Sequence, residues 1–207
     1  MKNLHLSRLK RGSSLSGHIK YVKDFCSESF CDVFIDESRR HRGNSALLGN
    51  YSIKKQIRDA DEISFSSRNP LIVDLQDKFK KELHTYVEEF DFAHFIDPRK
   101  LNLESCVVSY TNQKGYIPHA DSSFVNNEDN IRLFTIVAYF NDDYIGGDLY
   151  FPNLGFTIKP KKGSCIIFPS NYMFIHGVKP VIGFKLISPC WFHAKLNRFN
   201  IFDPCIM

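Results

Sequence analysis

The chain has 207 residues, 43% hydrophobic and 24% charged, which suits a single domain of ordinary size. A chain of this length buries roughly 70% of its unfolded surface and needs no disulfide framework to hold a core. Its net charge of +4, from 27 basic and 23 acidic residues, is too mild to mark a dedicated polyanion binder.

The basic excess lies early, in Lys2, Arg8, Lys10, Arg11, Lys20, Lys23, Arg39, Arg40 and Arg42. A patch for an acidic partner and a solvated basic surface both fit it. No aromatics interleave with these charges as base stacking would need, so no nucleic-acid partner is expected. The first ~15 residues are polar and expected to be loosely ordered. They lack the apolar stretch of a signal peptide, and no run of ~18 apolar residues suggests a membrane span. The six cysteines, Cys26, Cys31, Cys106, Cys165, Cys190 and Cys205, form no Cys-x-x-Cys pair. The last of them stands third from the end, one place off a prenylation signal. A reducing, cytoplasmic location is expected.

His18 to Phe25 reads as a short strand. Ser27 follows as an N-cap, and Phe30, Val33 and Phe34 give a helix to about Ser38. Residues 39 to 69 read as polar and irregular. Asn69 and Pro70 then open a second helix, on which Leu75, Phe79, Leu83, Tyr86 and Phe90 recur at three- and four-residue steps. That face predicts a buttress against a sheet. From about Leu103 the pattern changes to short β-type runs between Gly, Pro and Asn turns: Ser105–Tyr110, Leu133–Phe140, Asp148–Phe151, Gly155–Ile158, Ser164–Phe168, Met173–His176 and Phe184–Phe192. The 19 phenylalanines fit such half-buried pleated surfaces. The predicted fold is α+β, a jelly-roll or double-sheet barrel. Residues 1–102 are a supporting region of the same domain, and residues 103–207 are its β core.

His119 and Asp121 stand at i and i+2, so on a strand they point to the same side. His176 is a second histidine in the β half. Two imidazoles and a carboxylate can hold one face of an iron ion and leave three positions open, or hold zinc. Each residue taken singly is as readily an ordinary surface or strand-end side chain. His94 and Asp97 precede the β half and read as structural.

The surrounding order of motifs adds to this. Tyr110, then Gly115-Tyr116-Ile117-Pro118-His119-Ala120-Asp121, Arg132, Thr135, Tyr139-Phe140-Asn141, Gly146-Gly147-Asp148-Leu149-Tyr150-Phe151-Pro152, Pro160-Lys161-Lys162-Gly163-Ser164, Ile167-Phe168-Pro169-Ser170, His176-Gly177-Val178-Lys179-Pro180-Val181 and Gly183-Phe184-Lys185 together resemble the prolyl-4-hydroxylase-like branch of the 2-oxoglutarate/Fe(II) oxygenases. The likeness spans roughly residues 103 to 193. It implies a double-stranded β-helix, with Fe(II) on His119, Asp121 and His176. It also implies 2-oxoglutarate and O2 as co-substrates, and L-ascorbate as a helper.

In the resembling family a basic residue nine places past the distal histidine binds the far carboxylate of 2-oxoglutarate. Lys185 holds that place, with Tyr110 and Tyr139 as hydroxyl donors beside it. The physics agrees, since a buried dianion needs a fixed opposite charge. Trp191 shares strand parity with Lys185 and reads as wall packing. His193 matches no ligand position. The implied reaction hydroxylates a C–H bond, most simply of a peptidyl proline, with release of succinate and CO2. Amino acids, small metabolites and nucleic acids remain alternative substrates of the superfamily. A metal-free module and a zinc hydrolase are the alternatives from other classes. Residues 39 to 69 and Ser122 to Asn130 are the candidate lid loops. Oligomeric state is not readable.

Overall fold

The computed structural model describes residues 15–41, 43–46, 55–90, 92–122 and 130–195. The basic N-terminal residues, Cys205 and most of the predicted Ser122–Asn130 loop lie outside them.

A turn of 3-10 helix over Leu15–His18 leads into strand β1 (Lys20–Val22), shorter than the strand predicted over 18–25. Helix α1 (Glu28–Ser38) begins and ends where the sequence placed it. The Ser27 hydroxyl accepts from the Phe30 amide at 3.1 Å. Its buried stripe is Cys31, Phe34 and Ser38, whereas Val33 is exposed. The segment read as irregular contains two short strands, β2 (Gly43–Ser45) and β3 (Asp61–Ile63), paired with each other. They escape sequence reading because strands of three residues, with Ile63 the only apolar side chain between them, are too short to show alternation.

Helix α2 (Pro70–Glu89) starts as predicted, with the Asn69 side chain accepting from Leu71 N. It buries Leu75, Phe79, Leu83, Tyr86 and Val87. The β half then runs β4 (Asn102–Ser105), β5 (Val107–Thr111), β6 (Tyr116–His119), β7 (Asn130–Tyr139), β8 (Ile145–Gly146), β9 (Leu149–Phe151), β10 (Phe156–Ile158), β11 (Cys165–Pro169), β12 (His176–Val178), β13 (Val181–Ile182) and β14 (Phe184–Lys195).

Two departures have local causes. The single run expected over Ser105–Tyr110 is broken at Cys106, opposite Pro189 in β14. Proline has no N–H to give. The Cys106 amide still donates to Pro189 O, while the Ser188 hydroxyl takes over the Cys106 carbonyl at 2.7 Å. The strand expected over Met173–His176 is a 3-10 turn, Tyr172–Phe174, capped by the Asn171 side chain on Met173 N. The strand proper starts at His176.

Among the described residues the large sheet has the order β1-β11-β7-β14-β5-β3-β2, with β4 also on β14. A second sheet has the order β10-β9-β12-β6, and β8 pairs with β13. Alternation sorts the large sheet's side chains to two faces. Phe134, Ile136, Ala138, Phe140, Cys165, Ile167, Leu186, Cys190 and Phe192 pack with α1 and α2. Val108, Tyr110, Val137, Tyr139, Ile166, Phe168 and Ile187 pack with Leu149, Phe151 and Val178 of the second sheet. Phe34 of α1 stacks on Phe140 with ring centroids 4.0 Å apart. The α+β expectation therefore holds as two facing sheets, one of them backed by two helices. The five described cysteines are free thiols. No helix among the described residues is long and apolar enough to cross a membrane.

Candidate active site

The strands of the second sheet bring His119 and His176 side by side. His119 closes β6, His176 opens β12, and the two are direct partners in the antiparallel ladder. Their ring centroids are 4.5 Å apart. Asp121, two residues past His119, lies 3.5 Å from each ring through its two oxygens: Oδ1 to His119 Nε2 and Oδ2 to His176 Nε2. One ligand atom from each of the three residues lies within 4.8 Å of the others.

Each histidine bonds through Nδ1 to a backbone carbonyl two residues earlier: His119 to Ile117 O at 2.9 Å and His176 to Phe174 O at 3.0 Å. A carbonyl only accepts, so Nδ1 carries the proton and Nε2 presents its lone pair in the neutral ring. Both lone pairs point toward Asp121. Burial pushes the His176 pKa down to about 4, against the pull of Asp121, so this ring is neutral at physiological pH. Burial opposes charge on Asp121 too. The positive charge that His176 carries in acid, the contact with His119 and the Thr135 hydroxyl outweigh it and hold the carboxyl's pKa well below the ordinary range. Thr135 Oγ1 donates to Asp121 Oδ2 at 2.7 Å and also lies 2.7 Å from Ser170 Oγ. Thr135 has one proton to give, so Ser170 donates to it in turn. Phe151 and Phe168 pack around His176. Two imidazole Nε2 atoms and one ionised carboxylate, held in this way, fit the donor set of a two-histidine, one-carboxylate Fe(II) site.

Lys185 lies on β14 in the space between the sheets and is fully buried. Its Nζ donates to Gly147 O. The rings of Tyr139, Tyr144 and Tyr110 surround it at 5.2, 5.4 and 5.8 Å. Burial lowers its pKa to about 7, partly offset by Asp148. Tyr110 and Tyr139 are thus brought to Lys185, and they meet it with their ring faces. Tyr144 and the Gly147 carbonyl were not foreseen. The Gly-Gly turn was visible in the sequence, but the direction of its carbonyl was not.

Trp191 pairs with Thr135 across β14 and β7 and lies under the Arg132 guanidinium at 4.0 Å. Arg132 is fixed by Glu104 at 2.9 and 3.0 Å. His193 is half-buried and outside the donor group. Asp97 caps the turn that begins at Pro98, as a structural residue should.

Residues 106–193 match the family model described as the 2OG-Fe(II) oxygenase superfamily. Prolyl 4-hydroxylase subunit alpha-2 of Gallus gallus is 34% identical over 113 residues, 48% of this chain and 21% of that protein. A putative prolyl 4-hydroxylase of Acanthamoeba polyphaga mimivirus is 25% identical over 158 residues, 68% of this chain and 60% of that one. The chain therefore spans less than two thirds of the length of these relatives. Among solved structures, the 2OG complex of a viral collagen prolyl hydroxylase from Paramecium Bursaria Chlorella virus-1 superposes with a TM-score of 0.67 at 26% identity. That superposition covers 86% of this chain and 96% of the other.

In fold, in site and over residues 106–193 the chain is similar to the 2-oxoglutarate/Fe(II) oxygenases. Within that superfamily the similar proteins are prolyl hydroxylases. The family implies Fe(II), 2-oxoglutarate and O2.

Proposed function

We propose that the protein is a 2-oxoglutarate-dependent dioxygenase that hydroxylates a C–H bond of a peptidyl residue, proline first, and releases succinate and CO2. The observation that carries this reading is the pairing of two features in one inter-sheet space. One is the His119, Asp121 and His176 donor group. The other is a buried lysine held by a carbonyl and ringed by three tyrosines. A hydrolytic zinc site would have no use for that lysine. A dicarboxylate co-substrate would supply the counter-charge that burial demands.

In this reading His119, Asp121 and His176 hold Fe(II), which when bound supplies the redox chemistry coupling decarboxylation of 2-oxoglutarate to hydroxylation of the substrate. Lys185 binds the far carboxylate, as a point charge aimed by Gly147 O. Tyr110, Tyr139 and Tyr144 shape the pocket around it and exclude water. The Thr135 hydroxyl holds the Asp121 carboxylate in orientation. The two facing sheets are read as a double-stranded β-helix, with residues 1–102 supporting a 103–207 core. L-Ascorbate is proposed as the reductant that sustains turnover. Peptide substrates are favoured because the viral neighbour is a collagen prolyl hydroxylase. The free thiols suit a reducing, cytoplasmic setting.

Incubation with Fe(II), 2-oxoglutarate, ascorbate and proline-containing peptides should add one oxygen atom to a peptide residue, read by mass spectrometry. Lys185→Ala should retain iron and raise the KM for 2-oxoglutarate by at least about tenfold, the scale of a lost charged hydrogen bond. An unchanged KM would remove Lys185 from the co-substrate site.

A further inference from the structure

β6 carries His119 and is the last strand of its sheet, so its outer edge would expose unpaired backbone. The edge is instead held by residues 57–59. Arg58 and Tyr116 are antiparallel partners in an isolated bridge. Ile117 N donates to Ile57 O and Asp59 N to Gly115 O, both at 3.0 Å. Two residues further on the same chain becomes β3 and pairs with β5 in the large sheet. This strap thus runs from one sheet to the other. Lys114 fastens it, lying 2.7 Å from Asp61 Oδ2 and 3.8 Å from Asp59 Oδ1.

The strap grips the residues that orient His119. The imidazole touches two of them: the Ile117 carbonyl, which takes its Nδ1 proton, and the Tyr116 ring, stacked on it at 3.6 Å and 20°. Ile117 is bonded to the strap through its amide. Tyr116 carries the Arg58 guanidinium over its ring at 5.5 Å from the centroid. Arg58 itself sits among Tyr110, Cys106, Tyr116 and Glu62. Among the described residues His176 has no such aromatic clamp from a sheet edge. Its ring is held by Phe151 and Phe168 from the interior.

We infer that Arg58 and Tyr116 are positioning residues for the metal ligand His119. The strap that ties the two sheets sets the plane of this imidazole, and with it the affinity and geometry of the metal centre. The inference rests on the proposed metal-binding reading. Groups that orient a metal-bound histidine influence affinity by about 10- to 100-fold.

The test uses the full-length protein and Co(II) as the probe, titrated anaerobically and followed by its visible absorption spectrum and by calorimetry, with thermal unfolding measured beside it. Tyr116→Leu removes the stack and should weaken Co(II) binding by about tenfold or more and shift the spectrum. Tyr116→Phe keeps the ring and should restore both affinity and spectrum. Arg58→Met should weaken binding in the same direction, by about threefold or more, as a partial loss of the same clamp. Wild-type affinity and spectrum in both Tyr116→Leu and Arg58→Met would overturn the inference. So would a loss in Tyr116→Phe equal to that in Tyr116→Leu. Absence of Co(II) binding by the wild-type protein, or its persistence in His176→Ala, would instead overturn the metal-binding reading beneath it.

Discussion

A carbonyl oxygen accepts and never donates, and this places a proton on Nδ1 of both histidines without reference to any metal. Ile117 O and Phe174 O each hold an Nδ1 proton, leaving Nε2 of each ring as the atom that faces Asp121. The third donor depends on one hydroxyl. Thr135→Val keeps the β-branched shape beside Asp121 and removes the proton donated to Oδ2. It should lower Fe(II) affinity by about 10- to 100-fold, as loss of a carboxylate's orienting bond does. An anaerobic metal titration reads this directly. The three donors and Lys185 were legible because their spacing and order are written along the chain. Thr135 stood among the motif residues, but its hydroxyl contact is a fact of register: β7 must lie beside β14 and over Asp121 before it exists. Tyr144 likewise follows no period, because it reaches Lys185 from the segment between β7 and β8.

At the level of elements, the Gly146-Gly147 turn does more than reverse the chain. Gly146 has φ of +73°, and a Cβ there would lie 2.2 Å from Pro180 O. Gly147 donates to that same carbonyl and offers its own to Lys185. Gly146→Ala should therefore cost about 1–3 kcal/mol of stability for the strained backbone and also raise the KM for 2-oxoglutarate, since the Lys185 acceptor moves with the turn. Denaturant unfolding and a co-substrate titration on the same sample check both halves. The helix starts were readable from their caps and the buried face of α2 from its apolar periodicity. The strap and the β2–β3 pair were not, because they are too short to show a period and the strap's partners are distant in sequence. β12 was placed early because an Asx cap at Asn171 competes with extended structure, and no alternation in Met173-Phe174-Ile175 shows which prevails.

At the scale of the whole molecule, two sheets bury a lysine between them, and that burial has a pH signature. Lys185 has a pKa of about 7 in the folded protein, below its unfolded value. Between the two values the unfolded chain binds more protons, so this residue's contribution to stability rises as pH rises through that window. Binding a dianion favours the charged form and reverses the preference. The affinity for 2-oxoglutarate should fall as pH climbs above about 7, approaching tenfold per unit. Lys185→Arg, which stays protonated, should flatten that dependence. Isothermal titration across pH 6 to 9 would show it, and a flat profile for the wild type would contradict a buried lysine as the co-substrate's partner.

The central claim is that this inter-sheet space turns over 2-oxoglutarate on a metal held by His119, Asp121 and His176. The most direct measurement is succinate released from 2-oxoglutarate by the purified chain with Fe(II) and O2, with peptide pools present and absent, beside His176→Ala. The account expects Fe(II)-dependent succinate, slow without substrate and faster with it, and none from His176→Ala. No succinate under any of these conditions from a protein that also binds no iron, or equal succinate from His176→Ala, would contradict it.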